Sequence, residues 1–342
     1  MTSSVDPRRT PLGRSKVSPQ SRGNEEELKR LLDRAKLAGG QPAAGVPQDR
    51  NVRVASPRPA PGAEAAAAPR GEPELPFEGW PSPAGAAPAP GEHLLDAWHA
   101  TYSTALAISQ LRKRSDPAKI AMEAVLADDD RQQVTATTEF PWRCICYLVI
   151  TAQDGSRWVG SGWFADARTV VTAGHCVFLH GAGGWARQLE VYPGRSGAAT
   201  PFGPVVSGDL HSVSRWTQEQ DADFDYGAVR LAGAVPVGSM GYAARADGEL
   251  QNVSANVYGY PADKPPGTLW GSFRQLSQVR QRTLVYNIST YGGQSGCPVF
   301  LKQGEDRTVV GIHNYGDLSG NSATRITDDV YDDIQAWMAG SP

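Results

Sequence analysis

The sequence predicts an all-β domain over the last 219 residues, preceded by an N-terminal third that is rich in Pro, Ala and Gly. Two observations support this prediction. Of the 26 prolines, 16 lie before Ala124, and from Arg131 onward short apolar or alternating runs are separated by Gly, Asp and Pro. Many short strands with turn signals between them are typical of a sandwich or barrel. A chain of this length buries enough surface to form its own core.

The front third is predicted to be a largely disordered extension over residues 1–92. Its Pro/Ala/Gly-rich composition cannot bury enough apolar surface to offset chain entropy. A short helix is expected near 24–38, where Asn24 can cap the first turn. Residues 93–123 are predicted to be a helical pro-region or linker, since His93–Arg114 has apolar residues mostly three or four apart.

The chain is predicted to close with a helix over Thr327–Met338. Thr327 is a favourable N-cap, and two aspartates follow it where the helix dipole stabilises carboxylates. Val330, Ile334 and Trp337 form an apolar stripe that we expect to face the core.

Composition narrows the function classes. A net charge of −3 argues against a protein that binds nucleic acid through bulk electrostatics. No apolar run reaches the roughly 18 residues of a membrane helix, so no membrane span is predicted. The first 20 residues carry basic charge but lack the apolar stretch of a secretory signal. Localisation therefore stays open between non-standard export, a wrongly assigned start and an intracellular protein.

Three segments of the β region carry catalytic residue types. The sequence TVVTAGHC presents His175 after an apolar run, DFDYGAV places Asp223 and Asp225 before one, and YGGQSGCP holds Ser295 in a glycine-rich turn. Each signal alone is modest, but together they supply a base, an orienting carboxylate and a nucleophile. The glycines let the backbone bend so that the N–H groups of Gly293 and Ser295 point at one oxyanion.

These three segments resemble the catalytic signatures of chymotrypsin-fold serine proteases, and above all the bacterial V8-like, or glutamyl endopeptidase, branch. The stretches VYGYPADKP and VGIHNYG resemble the same branch. The resemblance covers residues 124–342. It implies two six-stranded antiparallel barrels with a C-terminal helix, and a serine endopeptidase that works through an acyl-enzyme without a cofactor. It also implies export, which the start of the sequence does not explain.

The resemblance implies a role for each matching residue. His175 is expected to be the general base, Ser295 the nucleophile, and Gly293 with Ser295 the oxyanion donors. Asp225 is expected to be the orienting residue, with Asp223 as the competing carboxylate.

The resemblance further implies that Thr290 and His313 line the pocket for the side chain before the scissile bond. A hydroxyl and an imidazole suit a carboxylate, so cleavage after Glu, and more weakly after Asp, is expected. The alternative is that His313 is a buried core histidine.

A zymogen is also implied, with the mature chain beginning at Ala124 or Val125. The preceding Glu123 would suit self-processing by a Glu-specific enzyme. The alternative is that Glu123 is a helix-surface residue and that another protease cuts. Many chymotrypsin-fold enzymes bind the new terminus with an Asp before the nucleophile, but Gln294 stands there.

The four cysteines do not have zinc-site spacing, so no metal site is predicted. Cys176 lacks the usual partner of this fold, which would lie near Gly160. Similarity to some V8-like proteins makes Cys146 the preferred disulfide partner of Cys176, with Cys144 and Cys297 as free buried thiols.

Protein or peptide substrates are the expected partners. The alternative function, from a different class, is a catalytically silent protease fold that binds partners. The N-terminal arm, with Trp80 and the helix around Trp98, is expected to bind either a partner or its own protease domain.

Overall fold

The computed structural model describes residues 129–317 and 320–341. It also describes Lys16, Ser18, Gln20, 51–56 and 95–96 of the extension. The predicted helix near 24–38 and most of the predicted pro-region over 93–123 lie outside the described residues. The boundary proposed at residue 124 therefore remains a prediction.

Two large sheets contain most of the strands in the described part of the chain. The first sheet has nine strands: β1 Arg53–Ala55, β2 Leu95–Asp96, β4 Ile145–Thr151, β5 Arg157–Phe164, β6 Thr169–Thr172, β9 Gln188–Pro193, β10 Val205–Ser207, β11 Asp209–Val213 and β12 Gly227–Arg230. The second sheet has eight: β3 Gln132–Val134, β13 Gly241–Tyr242, β14 Ser254–Gly259, β15 Leu269–Val279, β16 Thr283–Tyr286, β17 Pro298–Gln303, β18 Asp306–Asp317 and β19 Gly320–Arg325. Strands β7 Phe178–Leu179 and β8 Gly184–Trp185 form a separate hairpin. Within the described residues, the helices are α1 Gly174–Val177, α2 Ser214–Thr217, α3 Asp247–Leu250 and α4 Asp328–Met338, and 3₁₀ turns occur at Trp142–Cys144, His180–Ala182 and Ala222–Phe224.

The sheets curve into two barrel-like halves, which confirms the predicted fold class. The first runs in the order β1-β11-β12-β6-β5-β4-β9-β10, with β2 beside β5. In the second, six strands from β18 through β17, β14, β15 and β16 to β19 close into a ring, because β19 also pairs with β18. The sheets exceed six strands each because short strands are added, two of them from the extension.

Apolar strands explain where the core lies. Strand β4 has the sequence ICYLVIT and lies between β5 and β9, and six of its seven residues are buried. A strand that is buried on both faces has a continuous apolar sequence, whereas a strand with one exposed face alternates apolar and polar residues. The second barrel has its own cluster around Val257, Leu284 and Val299.

The predicted C-terminal helix is present as α4. Val330, Ile334 and Trp337 are fully buried in the first core cluster, as the apolar stripe predicted. Thr327 is the N-cap residue, but its hydroxyl bonds the Asp329 carboxylate instead of a backbone N–H.

Two segments of the extension form strands where the sequence predicted linker or helix. Residues 51–56 were expected to be disordered linker, but they contain β1, which pairs antiparallel with β11. Leu95–Asp96 were expected to begin the helix His93–Arg114, but they pair in parallel with β5. In both cases pairing at a sheet of the β domain overrides the local composition or periodicity.

Candidate active site

His175 lies just after strand β6, whose residues Thr169–Thr172 are all buried. Ala173 is extended, and the chain then forms α1 with His175 as its second residue. Position 174 requires glycine, because a Cβ there would lie 2.8 Å from Oδ1 of Asp225. The sequence Ala-Gly-His thus brings the imidazole close to that carboxylate.

His175 and Asp225 form a fully buried pair. Nδ1 of His175 lies 2.7 Å from Oδ2 of Asp225, and the backbone N–H of His175 donates to Oδ1 at 2.8 Å. Burial disfavours the imidazolium, but the charge of Asp225 and its hydrogen bond outweigh burial and raise the pKa of His175 well above its ordinary value. The arrangement therefore strengthens the imidazole as a base.

Asp225 is held by three residues that sequence reasoning did not assign. The hydroxyl of Tyr315 donates to Oδ2 of Asp225, which also faces His175. Nδ2 of Asn314 donates to the backbone carbonyl of Asp225 at 2.6 Å, and Oγ1 of Thr324 donates to the same oxygen at 3.3 Å. Residues of the second barrel thus hold both the backbone carbonyl and the carboxylate of Asp225, which lies just before β12 of the first barrel.

The competing carboxylate, Asp223, lies elsewhere. It sits in the 3₁₀ turn before Asp225, and its Oδ1 accepts a hydrogen bond from Oγ1 of Thr283 at 3.3 Å. Its backbone N–H donates to Asp221. The geometry therefore favours Asp225 as the carboxylate that orients His175.

Ser295 is fully buried in a turn that two glycines make possible. Gly293 and Gly296 have φ values of 94° and 88°, in the left-handed region that favours glycine. A Cβ on Gly296 would collide with the Thr172 hydroxyl, so the turn packs against the strand that leads to His175. Ser161 fastens the turn, because its hydroxyl donates to the Gly293 carbonyl and its N–H to the Ser295 carbonyl, both at 2.8 Å.

The predicted pocket residue His313 lies on β18 beside the serine turn. Its carbonyl accepts from Gly296 N–H at 2.7 Å, and its N–H donates to the Cys297 carbonyl at 3.0 Å. Its Nδ1 lies 2.6 Å from the Tyr286 hydroxyl and 3.1 Å from the Ser322 carbonyl. These contacts fix the ring beside the turn.

Thr290, the second predicted pocket residue, lies between β16 and the serine turn. It is fully buried, and its hydroxyl has no hydrogen-bond partner among the described residues. A buried polar group of this kind is costly unless something supplies a partner.

Gln294 lies beside an ion-pair network centred on Arg131, whose side chain is fully buried. The guanidinium forms paired contacts with both Asp129 and Asp263, at 2.5 to 2.9 Å. One of its nitrogens lies 3.5 Å from Oε1 of Gln294. Lys264 also contacts Asp129, at 2.6 Å. No local sequence pattern indicates this network, because Arg131 and Asp263 are 132 residues apart in the chain.

The predicted disulfide is absent, since none of the four cysteines forms a disulfide and all four are buried. The thiol of Cys146 faces the Cys144 carbonyl at 3.9 Å, whereas the thiol of Cys176 faces the Ser295 carbonyl at 3.7 Å. A Cβ on Gly160 would lie 2.8 Å from the Cys176 sulfur, so the neighbour of Cys176 is a glycine. Burial raises the pKa of the Cys144 thiol to about 12, which keeps it protonated.

The predicted processing residues Glu123, Ala124 and Val125 lie outside the described part of the chain. Within the described residues, no group of three or more His, Cys, Asp or Glu side chains could hold a metal ion. No helix in that part of the chain is long and apolar enough to cross a membrane.

Comparison with known proteins identifies the family. A model described as trypsin-like peptidase domain matches residues 160–312. A glutamyl endopeptidase of Bacillus licheniformis is 35% identical over 240 residues, which cover 66% of this chain and 73% of that protein. The chain belongs to the V8-like serine endopeptidases, with the chymotrypsin fold.

Further matches include two with glutamyl endopeptidase names and one with a different printed name. A Bacillus subtilis protein named extracellular metalloprotease is 36% identical over 218 residues, covering 63% of this chain and 69% of that protein. A Staphylococcus aureus glutamyl endopeptidase is 27% identical over 199 residues, which cover 55% of this chain and 51% of that protein. The structure of a Glu endopeptidase in complex with MPD matches with a TM-score of 0.56 at 24% identity, over 63% of this chain and 100% of that one, and supports the fold.

Sequence reasoning about this serine endopeptidase missed Tyr315 and Arg131. Tyr315 follows His313 by two residues in VGIHNYG, a stretch that was recognised only for its resemblance. Its hydroxyl reaches Asp225, 90 residues away in the chain, which no local pattern reports.

Proposed function

We propose that this endopeptidase cleaves peptide bonds with Ser295 as nucleophile, His175 as general base and Asp225 as orienting carboxylate. The observation that carries the proposal is the double hydrogen bond from His175 to one buried carboxylate, next to the glycine turn that carries Ser295. A serine hydroxyl is a weak nucleophile until a positioned base takes its proton.

The first half of the reaction is acylation. Ser295 Oγ passes its proton to His175 and attacks the scissile carbonyl, forming a C–O bond and a tetrahedral oxyanion. The N–H groups of Gly293 and Ser295 donate to that oxyanion, and Asp225 stabilises the imidazolium. Collapse of the intermediate breaks the C–N bond, and His175 returns the proton to the leaving amine.

The second half is hydrolysis of the acyl-enzyme. His175 takes a proton from water as the water oxygen attacks the ester carbonyl. Collapse of the second tetrahedral intermediate releases the new carboxyl terminus and returns the proton to Ser295. The raised pKa of His175 supports the proton-accepting role.

Reaction with a fluorophosphonate tests the triad. Active protein should lose activity as one reagent molecule attaches at Ser295, whereas Ser295→Ala should not be labelled. Ser277→Ala, at an exposed position on β15, is the matched control and should label like the parent. No labelling of the folded parent protein would favour the alternative, a silent protease fold that binds partners.

We further propose a preference for Glu, then Asp, before the scissile bond. The Tyr286 hydroxyl, at 2.6 Å, can donate to Nδ1 of His313, and in that tautomer Nε2 carries the ring proton and can donate it to a carboxylate. The Thr290 hydroxyl, which has no partner among the described residues, can supply a second donor. The names of the glutamyl endopeptidase relatives support the same preference.

Peptides that differ only at that position test the preference. A charge-assisted hydrogen bond contributes about 1.5–3 kcal/mol, so Glu should exceed the isosteric Gln about ten- to hundredfold in kcat/KM. Thr290→Val should reduce this ratio, while an ester of Phe should show whether the acylation machinery is intact. Equal rates for Glu and Gln would contradict the preference.

We also propose that the precursor matures by cleavage after Glu123. A Glu-specific enzyme could cut its own precursor at that bond. Amino-terminal sequencing of the parent and of Ser295→Ala tests this: the parent should begin at Ala124, whereas a start at Val125 would mean a cut after Ala124 and not after Glu123. If purified Ser295→Ala is cut at the same bond without added protease, self-processing is excluded.

A further inference from the structure

Segments of the extension are seated on the protease domain at three places. Strand β1 adds to the edge of the first sheet at β11, and β2 pairs with β5. Lys16, Ser18 and Gln20 contact the second barrel and helix α4. The extension is therefore joined to the domain by contacts besides the peptide chain between them.

Backbone and side-chain hydrogen bonds both seat β1. The carbonyl of Val52 accepts from Ser214 N–H at 2.8 Å, and Ser56 N–H donates to the Leu210 carbonyl at 2.8 Å. The Ser56 hydroxyl also donates to the Gly208 carbonyl at 2.8 Å. Without β1, strand β11 would present an unpaired edge, which is unfavourable in a stable sheet.

An ion pair fastens the same strand to helix α4. Nη1 of Arg53 lies 3.1 Å from Oδ1 of Asp333, and Asp333 also accepts from the Tyr226 hydroxyl at 2.7 Å. Asp333 is 8% exposed, so a cation next to it offsets much of the cost of burying its charge. Tyr226 adjoins Asp225 in the chain, which connects this seat to the neighbourhood of the catalytic pair.

The surface around Tyr242 leaves room for Lys16, Ser18 and Gln20 and bonds them. Ser18 N–H donates to the Tyr242 carbonyl at 2.8 Å, and Ala244 N–H donates to the Lys16 carbonyl at 3.1 Å. A Cβ on Gly241 would lie 2.8 Å from the Ser18 carbonyl, so only glycine leaves room there. The amide of Gln20 donates to Asp306 at 2.9 Å.

Charge complements these contacts at α4. Lys16 Nζ lies 2.8 Å from both carboxylate oxygens of Asp332, one residue before the Asp333 that pairs with Arg53. Two basic residues of the extension thus meet two consecutive acidic residues of one helix.

We propose that the extension is a docking strap that stays bound to the protease domain after the chain between them is cut. The contacts of Lys16, Ser18 and Gln20, of β1 and of β2 belong to one continuous stretch of chain, so release of one contact leaves the others to hold it nearby. Linked sites of this kind bind more tightly than either alone. The occupant of the β11 edge in the mature enzyme is therefore the chain's own residues 52–56, whichever protease makes the cut.

The test cuts the full-length chain on demand. Protein carrying Ser295→Ala receives a recognition sequence for an unrelated site-specific protease between Ser115 and Asp116. After cleavage, the two fragments should elute together at the size of the intact chain and should separate in denaturant. Elution of the fragments as two separate species under native conditions would overturn the proposal. Because Ser295→Ala is inactive by design, the result does not depend on the proposed peptidase activity.

A matched pair of proline variants tests the β1 seat. In an antiparallel pair, hydrogen-bonded residues alternate with residues that do not bond the partner strand. Val52 and Ser56 both bond the β11 side, so Val54, which lies opposite Ser212, is also a hydrogen-bonded residue, and Ala55 is not. Val54→Pro should make the extension fragment leave the immobilised domain at least ten times faster. Ala55→Pro should leave this rate within about twofold, since proline is tolerated where the edge N–H faces away from the sheet. Equal release from both variants would exclude β1 as the seat.

Discussion

Removal of the Arg131 guanidinium should destabilise the fold more than it slows catalysis. Breaking a fully buried ion pair by removing one partner costs about 3–5 kcal/mol. Here the side chains of Asp129 and Asp263 are 29% and 24% exposed, so water recovers part of the loss. Lys264 still pairs with Asp129, whereas Asp263 loses both hydrogen bonds from Arg131. We expect Arg131→Ala to lower the free energy of unfolding by about 2–3 kcal/mol.

The effect should depend on pH in a defined direction. Hydrogen bonds from Arg131 lower the pKa of Asp129 below its ordinary value of 3.8, against the opposing effect of burial, and Lys264 adds to the lowering. A carboxyl with a lowered pKa in the folded state stabilises the fold above its unfolded pKa and loses this contribution as pH falls. The difference between parent and Arg131→Ala should therefore be largest near pH 7 and shrink below about pH 4.

Urea unfolding followed by tryptophan fluorescence measures this, with both proteins in the Ser295→Ala background to prevent autolysis. Arg274→Ala is the control, because Arg274 forms a neighbouring ion pair with Asp130 but is itself 54% exposed. An exposed pair of this kind contributes about 0–1 kcal/mol. Equal stability of Arg131→Ala and its parent at pH 7, or a difference that grows as pH falls, would refute the reasoning.

Catalysis should respond less. Arg131 lies 3.5 Å from Oε1 of Gln294, at the limit of a hydrogen bond, whereas Tyr291 N–H donates to the same oxygen at 3.0 Å. The turn before Ser295 therefore keeps its shorter contact. In the active protein, we expect Arg131→Ala to reduce kcat/KM less than tenfold below its unfolding temperature.

Two further substitutions probe the catalytic pair and its surroundings. Tyr315→Phe removes the hydroxyl that donates to Asp225, so kcat/KM should fall about tenfold. Without that hydrogen bond the Asp225 carboxylate favours the imidazolium of His175 more strongly, so the acid limb of the pH profile of kcat/KM should move to higher pH. A rate loss without movement of that limb would indicate a merely structural role. Gly160→Cys should form a disulfide with Cys176, whose sulfur lies 2.8 Å from the position of the new Cβ, and should stabilise the fold by about 3 kcal/mol, lost on reduction. Two free thiols at these positions in mass mapping would contradict this.

The fold class and the places of the proposed catalytic residues in the fold were predictable because their signals are local. His175 follows an apolar strand, Asp225 precedes one, and Ser295 sits among glycines whose φ values require glycine. Each signal lies within about eight residues of sequence. The apolar stripe of α4 is likewise a local periodicity, and it faces the core as predicted.

The contacts that support the site were not predictable, because they join residues far apart in the chain. Tyr315 reaches Asp225 across 90 residues, and Arg131 reaches Asp263 across 132. The disulfide prediction was wrong for a related reason. A similar sequence around Cys146 does not report which side chain faces Cys176, and that position is occupied by Gly160.

The extension shows how tertiary pairing can override composition. Residues 51–56 lie in sequence too polar and too short to form an independent strand, yet β11 offers an edge and Asp333 offers a carboxylate to Arg53. A three-residue strand is marginal in isolation and is stabilised here by the sheet that it joins. Composition alone therefore suggests that the extension is independent of the domain, whereas strand pairing and the Arg53–Asp333 ion pair join the two.

The ion pairs of Arg131 also constrain how cleavage could control this enzyme. Where an Asp precedes the nucleophile, a new terminal ammonium can complete the site only after the chain is cut. Here Gln294 holds that position, and the cation beside it is the side chain of Arg131, an internal residue whose bonds to Asp129 and Asp263 are present in the uncut chain. A cut at residue 123 therefore cannot be what creates this ion pair. Any gain in activity on cleavage has to come from another change, such as access to the cleft.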